Sequence, residues 1–150
     1  MKKEYNFPFP QADDFEKLVS LLNIKEESSL KDKTSVSMLL GDIDNRQVQY
    51  YLSALMYLDL VQPNKSFTSK GQYIRSLGFS KQIVELARII VSKDVFGTVY
   101  FTEKSLKVKM DRNDVIDVMK EFIYFSSDAM YLRRSQTVIK WIEWVNKNFQ

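Results

Sequence analysis

The chain contains no cysteine and no histidine. Without cysteine there are no disulfides, thiolate metal sites or thiol nucleophiles. Without histidine, most zinc sites, imidazole general bases and every Ser-His-Asp triad are excluded. Glycine is scarce, and Gly41, Gly71, Gly78 and Gly97 lie too far apart to form a phosphate-cradling loop. No stretch approaches the roughly 18 apolar residues of a membrane helix. The start, Met1-Lys2-Lys3-Glu4-Tyr5-Asn6, runs into Phe7-Pro8-Phe9-Pro10 with no apolar run behind it, unlike a signal peptide. The expectation is a cytoplasmic protein with no membrane contact, no metal and no cofactor.

What is present is ordinary globular material. With 150 residues, 45% hydrophobic and 27% charged, the chain suits one domain or two very small ones. The net charge of +3 permits a nucleic-acid partner without demanding one. Its distribution is uneven: residues 1–78 carry 10 basic and 10 acidic side chains, whereas residues 79–150 carry 12 and 9. The whole surplus therefore sits in the second half.

Pro8 and Pro10 fix φ and lack an N–H, which predicts an extended lead-in over residues 1–11. Phe15, Leu18, Val19 and Leu22 then recur at helical spacing. Val36, Met38, Leu39 and Leu40 form a second short helix that Gly41 stops. Asp44-Asn45-Arg46-Gln47 reads as a capping box with Asp44 as the cap, opening a third helix that buries Val48, Tyr51, Leu52, Leu55 and Leu58. Leu60-Val61-Gln62, the turn Pro63-Asn64-Lys65 and Ser66-Phe67-Thr68 read as a β-hairpin, with a further helix opening at Ser69. Helix, helix, turn, helix, hairpin, helix is the order of a winged helix-turn-helix.

The second half repeats the plan in outline. Ser80 is read as the cap of a helix through Ile83, Leu86, Ala87 and Ile90. A short segment, Val95 to Phe101, precedes a small helix from Thr102. Asp111 caps a helix through Val115, Val118 and Phe122. Ile123-Tyr124-Phe125-Ser126 and Met130-Tyr131-Leu132-Arg133-Arg134 read as a second hairpin, and Thr137 caps a final helix carrying Trp141 and Trp144. The expected fold is mainly α with small β-hairpins, a tandem winged helix-turn-helix with units at 12–78 and 79–150. A single mixed domain with one wing is the alternative.

No catalytic residues are expected. No lysine has an aspartate or glutamate two positions earlier, so the metal-site signature of many restriction nucleases is missing. The carboxylates at Asp13-Asp14, Glu26-Glu27, Asp42/Asp44 and Asp111/Asp114/Asp117 read as helix-start acids and solvated faces.

The candidate DNA-binding residues follow from the helix starts. Asn45, Arg46, Gln47, Gln49 and Tyr50 open the third helix, and Arg, Gln and Asn are the side chains that pair with guanine and adenine edges in a major groove. A merely solvated first turn is the plain alternative. Lys65 at the wing tip would meet a phosphate, which positions without specifying sequence. In the second half the corresponding residues are Lys109, Arg112 and Asn113, with Arg133 and Arg134 on the wing and Lys104, Lys107 and Lys109 as a basic strip. Tyr51, Tyr57, Trp141 and Trp144 read as packing residues, an exposed Trp at the last helix being the sign of a dimer seam.

The segment Gly41-Asp42-Ile43-Asp44-Asn45-Arg46-Gln47-Val48-Gln49-Tyr50-Tyr51-Leu52-Ser53-Ala54-Leu55-Met56-Tyr57-Leu58-Asp59-Leu60-Val61, with Phe67-Thr68-Ser69-Lys70-Gly71, resembles the winged-helix module of type II restriction endonucleases and related restriction–modification proteins. The resemblance covers roughly residues 12–100; beyond that only the pattern matches. It implies sequence-specific recognition of double-stranded DNA, with Arg46, Gln47 and Gln49 as base readers and cleavage by a separate nuclease domain. The chain would then be a recognition fragment or a stand-alone specificity protein. A protein-interaction or homodimerisation module, or a small transcriptional regulator, are the competing readings.

Overall fold

In the computed structural model, residues 8–149 are described, and they divide into two compact units, one ending at Gln82 and the next beginning at Ile83. The helices are α1 Phe15–Leu22, α2 Lys33–Leu39, α3 Asn45–Tyr57, α4 Ser69–Arg75, α5 Phe79–Ser92, α6 Asp94–Leu106, α7 Arg112–Phe122 and α8 Asp128–Asn148, with a short 3-10 turn at Glu27–Lys31. The division falls inside α5. Residues 1–7 of the expected lead-in lie outside the described residues, while Pro8–Gln11 are not helical. Phe9 is buried, its ring edge-on to Tyr57 at 5.7 Å.

In the first unit, α1 and α2 both pack on α3. Asp14 starts α1 by accepting the Glu16 N–H at 3.1 Å, and Asp32 starts α2 by accepting the Thr34 N–H at 3.1 Å. Leu18, Leu22, Val36, Val48, Leu52 and Leu55 are buried, so the apolar spacing of three helices converges on one core. An amide pair closes it, joining exposed Asn23 to buried Gln82: Asn23 Nδ2 donates to Gln82 Oε1 at 2.8 Å, and Gln82 Nε2 donates to Asn23 Oδ1 at 3.0 Å. Gln82 is thereby satisfied at 2% exposure.

The winged architecture is overturned: among the described residues there is no strand, only an isolated antiparallel bridge between Val61 and Phe67. The chain does reverse over residues 60–68, with the Lys65 N–H on the Gln62 carbonyl at 2.8 Å and the Gln62 N–H on the Ser66 carbonyl at 2.7 Å. Thr68, expected as strand, still donates its N–H to the Leu60 carbonyl at 3.0 Å, but it is also the cap of α4, and pairing goes no further because the chain is helical from Ser69. The Thr68 hydroxyl accepts the Gly71 N–H at 2.9 Å.

Of the second expected wing, residues 123–126 are a non-helical link and the returning segment is helix. Ser127 accepts the Met130 N–H at 3.3 Å and starts α8, so Met130–Arg134 are its first turns. Tyr131, Ser135, Val138, Ile142 and Val145 are all buried, which is helical spacing sustained along the element. A three-residue apolar run cannot distinguish a strand from a helix; the longer period decides. Thr137, expected as a cap, is a buried residue inside α8. Val95–Phe101 likewise belongs to α6, where Val95, Phe96, Val99 and Tyr100 share a buried face. Ser80 does not cap α5, which begins at Phe79 with the Gln82 N–H on the Gly78 carbonyl at 2.9 Å.

The second unit is α6, α7 and α8 packed on one another, together with most of α5. At its centre Phe96 and Trp141 stack with centroids 4.9 Å apart. Trp141 and Trp144 are both buried, as expected of packing residues, and present no exposed tryptophan seam.

Gly71 is a position where the first unit leaves no room for a side chain. A Cβ there would lie 2.1 Å from the Leu60 carbonyl oxygen, a backbone atom that cannot rotate away. We expect Gly71→Ala to cost about 2–3 kcal/mol, measured by urea unfolding. At Gly78 a Cβ meets nothing within 4 Å, and Gly78→Ala should change stability by less than about 0.5 kcal/mol.

Candidate nucleic-acid-binding face

The α2–turn–α3 pair is held by backbone geometry. Gly41 at φ 91° and Asp42 at φ 60° turn the chain in the left-handed region. The Asp42 N–H returns to the Ser37 carbonyl at 2.8 Å, and the Ser37 hydroxyl donates to the Ile43 carbonyl. Asp44 then caps α3, its Oδ1 accepting the Gln47 N–H at 2.8 Å. The reciprocal bond expected from the Gln47 side chain is not formed. By contrast, Asp111 and Asp114 make a complete capping box on α7, with bonds of 2.8 and 3.3 Å.

At 100° per residue, Asn45, Gln49, Arg46 and Tyr50 fall within an arc of about 140° on α3. Asn45, Arg46 and Gln49 are exposed and Tyr50 is half-buried, while Val48, Tyr51 and Leu52 face the core. Tyr51 is structural: its hydroxyl accepts the Asp14 N–H at 3.2 Å. Two pairs one helical turn apart order the exposed arc. Arg46 Nε donates to Tyr50 Oη at 2.7 Å, and Gln49 Nε2 donates to Ser53 Oγ at 2.9 Å. Ser53 was missed by the sequence reading, although its spacing from Gln49 marks it.

Gln47 does not join this arc; it lies on the flank towards Tyr51 and is half-buried. Lys65 belongs to a different element, the turn after Gln62, and holds φ 64°. The face is not strongly cationic, since Arg46 stands among Asp42 and Asp44. It can offer directional hydrogen bonds from guanidinium, amide and phenol groups more than net charge.

The second-unit candidates are dispersed. Lys109 is exposed in the link before α7, and Arg112 and Asn113 are exposed in the first turn of α7. Arg112 Nη2 donates to Gln136 Oε1 of α8. Arg133 and Arg134, expected on a wing, lie in α8. Arg133 Nη1 reaches Thr137 Oγ1 at 3.5 Å, and the Arg134 guanidinium sits 4.9 Å from the Phe125 ring centre. Both are half-buried in these contacts.

Among the described residues no group of three or more His, Cys, Asp or Glu is placed to hold a metal ion, and no helix is long and apolar enough to cross a membrane. Residues 17–150 match a family described as a domain of unknown function, DUF7226, and the chain belongs to that family. No curated protein and no solved structure matches it.

The caps generate two predictions. Asp44→Ala should cost about 1 kcal/mol, whereas Gln47→Ala should change stability by less than about 0.5 kcal/mol, both by chemical denaturation. The second concerns pH. The Ser35 hydroxyl, at 2.9 Å, and the Thr34 N–H hold the Asp32 carboxyl below its ordinary value of 3.8. A depressed folded-state pKa contributes stability above the unfolded value and loses it as pH falls through the folded one. The stability gap between the native chain and Asp32→Ala should therefore be widest near neutrality and narrow below pH 3.8.

Proposed function

We propose that the chain is a sequence-specific double-stranded DNA-binding module with no catalytic site of its own, reading base edges through the exposed face of α3. The observation that carries this reading is the display of Asn45, Arg46, Gln49 and Tyr50 together on one arc of a capped helix. A guanidinium makes paired bonds to guanine and a carboxamide to adenine, so Arg46 and the amides of Asn45 and Gln49 suit a major groove. The Arg46–Tyr50 and Gln49–Ser53 bonds lie at the surface and exchange for base contacts at small net cost. Lys65 supplies a phosphate contact in this reading, and Lys109 and Asn113 supply the second unit's own, whereas Arg112 is engaged on Gln136. Gln47 is at most a flanking contact. Arg133 and Arg134, engaged on Thr137 and Phe125, are left out of it.

The resemblance of residues 41–61 to restriction-enzyme recognition modules supports the same chemistry, although the winged architecture it implied is absent. Cleavage or modification then belongs to a separate domain or partner chain, as in a restriction–modification system. A second reading, a protein-docking module, is favoured by Met38 and Leu39, which stand 67% and 45% exposed at the end of α2.

Selection from a randomised duplex pool at low and high salt tests the proposal. A short enriched motif is expected, with affinity falling as salt rises. Arg46→Ala should cost about 1–3 kcal/mol at one base position and leave the others unchanged. Lys65→Ala should weaken all sequences alike and reduce the salt slope by about 1. No enrichment and no salt-sensitive affinity would overturn it in favour of protein docking.

A further inference from the structure

The second unit contains a pocket of about 410 Å³ between α6, the link to α7, and α8. That is within the size range of small-ligand sites, which are largely apolar with a few placed polar groups. Val99, Val115, Ile139 and Ile142 supply the apolar lining. Lys104, Lys107 and Lys109 also line it, and all are exposed at its edge. Glu103 and Glu143 oppose them, with Glu103 Oε2 accepting the Met110 N–H at 2.8 Å. Three lysines against two carboxylates leave the lining one positive charge in surplus.

Asn146, on α8, lines the same pocket, and its Oδ1 is buried without a hydrogen-bond partner. A buried carbonyl oxygen left unsatisfied costs free energy that a donor from a ligand would recover. Lys107 adds a second unusual feature, closing α6 in the left-handed conformation at φ 54°, a position that ordinarily favours glycine. Its side chain is thereby carried at the pocket edge where α6 ends.

We propose that this pocket binds a small amphipathic organic anion. An aryl or alkyl body lies against Val99, Val115 and Ile142, an acidic group sits among the three lysines, and an N–H or O–H donor meets Asn146 Oδ1. The site is independent of the α3 face, and its test does not involve DNA.

Anilinonaphthalenesulfonate has all three features, an aromatic body, a sulfonate and an amine N–H, and its fluorescence reports apolar burial. Titration of the full chain should show saturable binding of one probe per chain. The double variant Lys104→Ala/Lys109→Ala, at exposed positions, should weaken it about fivefold. Asn146→Leu should weaken it about fivefold without lowering the melting temperature. Phe101→Ser, at an exposed position outside the pocket lining, should leave binding unchanged. Non-saturable binding, affinity indifferent to the lysine pair, or loss of binding in Phe101→Ser would each overturn the proposal. Should Asn146→Leu fail to fold, the lysine pair and Phe101→Ser decide the matter alone.

Discussion

The Thr68 hydroxyl ties together the two ends on which the first unit depends. It donates to the Asp59 carbonyl at 2.7 Å and accepts the Gly71 N–H at 2.9 Å, while the Thr68 N–H donates to the Leu60 carbonyl at 3.0 Å. One residue thus joins the exit of α3 to the entry of α4. Asp59 enters the turn at φ 63°, and Gly71 lets α4 approach Leu60 more closely than any side chain would allow. Arg75 extends the clasp, lying 4.3 Å over the Phe67 ring and donating to the Leu22 carbonyl of α1. With its far end clasped and its near end capped by Asp44, α3 is pinned along its length, and its polar arc faces outward by default.

What that arc offers is direction rather than charge. The first half of the chain is electrically balanced, and Asp42 and Asp44 flank the start of α3. Long-range attraction to a polyanion would be weak there, so recognition through α3 has to come from hydrogen bonds at close range. The second unit carries the positive surplus on a helical scaffold centred on the Phe96–Trp141 stack. Several of its cations are spent within the unit: Arg112 on Gln136, Arg133 on Thr137 and Arg134 on Phe125. Lys104, which also lies 5.3 Å over the Tyr100 ring, lines the pocket between α6 and α8 together with Lys107 and Lys109.

Elements with both a cap and a sustained apolar period were legible from residues alone. Phe15, Leu18, Val19 and Leu22 behind the helix-start acids Asp13-Asp14 mark α1, and Asp44 with Val48, Leu52 and Leu55 marks α3. Asp111 with Val115 and Met119 marks α7. The errors arose where a short apolar run was read with period two. Met130-Tyr131-Leu132 satisfied a strand locally, but Tyr131, Ser135, Val138 and Ile142 carry a helical period straight past Thr137, the residue expected to start the last helix. At Leu60–Thr68 the reversal was legible from Pro63-Asn64, yet with Thr68 capping α4 the chain is helical from Ser69 and the pairing stops at one bridge. The polar arc of α3 was legible from spacing; the exclusion of Gln47 from it is a matter of angle. The clasp at Thr68 and the orphan oxygen of Asn146 are tertiary facts, invisible in local pattern.

Mapping backbone amide shifts of the full, nitrogen-labelled chain during titration with a selected duplex tests the role of α3 most directly. If α3 reads the bases, the largest shifts fall at Asn45, Arg46, Gln49 and Tyr50, with Val48 and Leu52 on the buried side moving less. Shifts absent from α3, or concentrated at Met38 and Leu39 only when a protein partner is added, would contradict it.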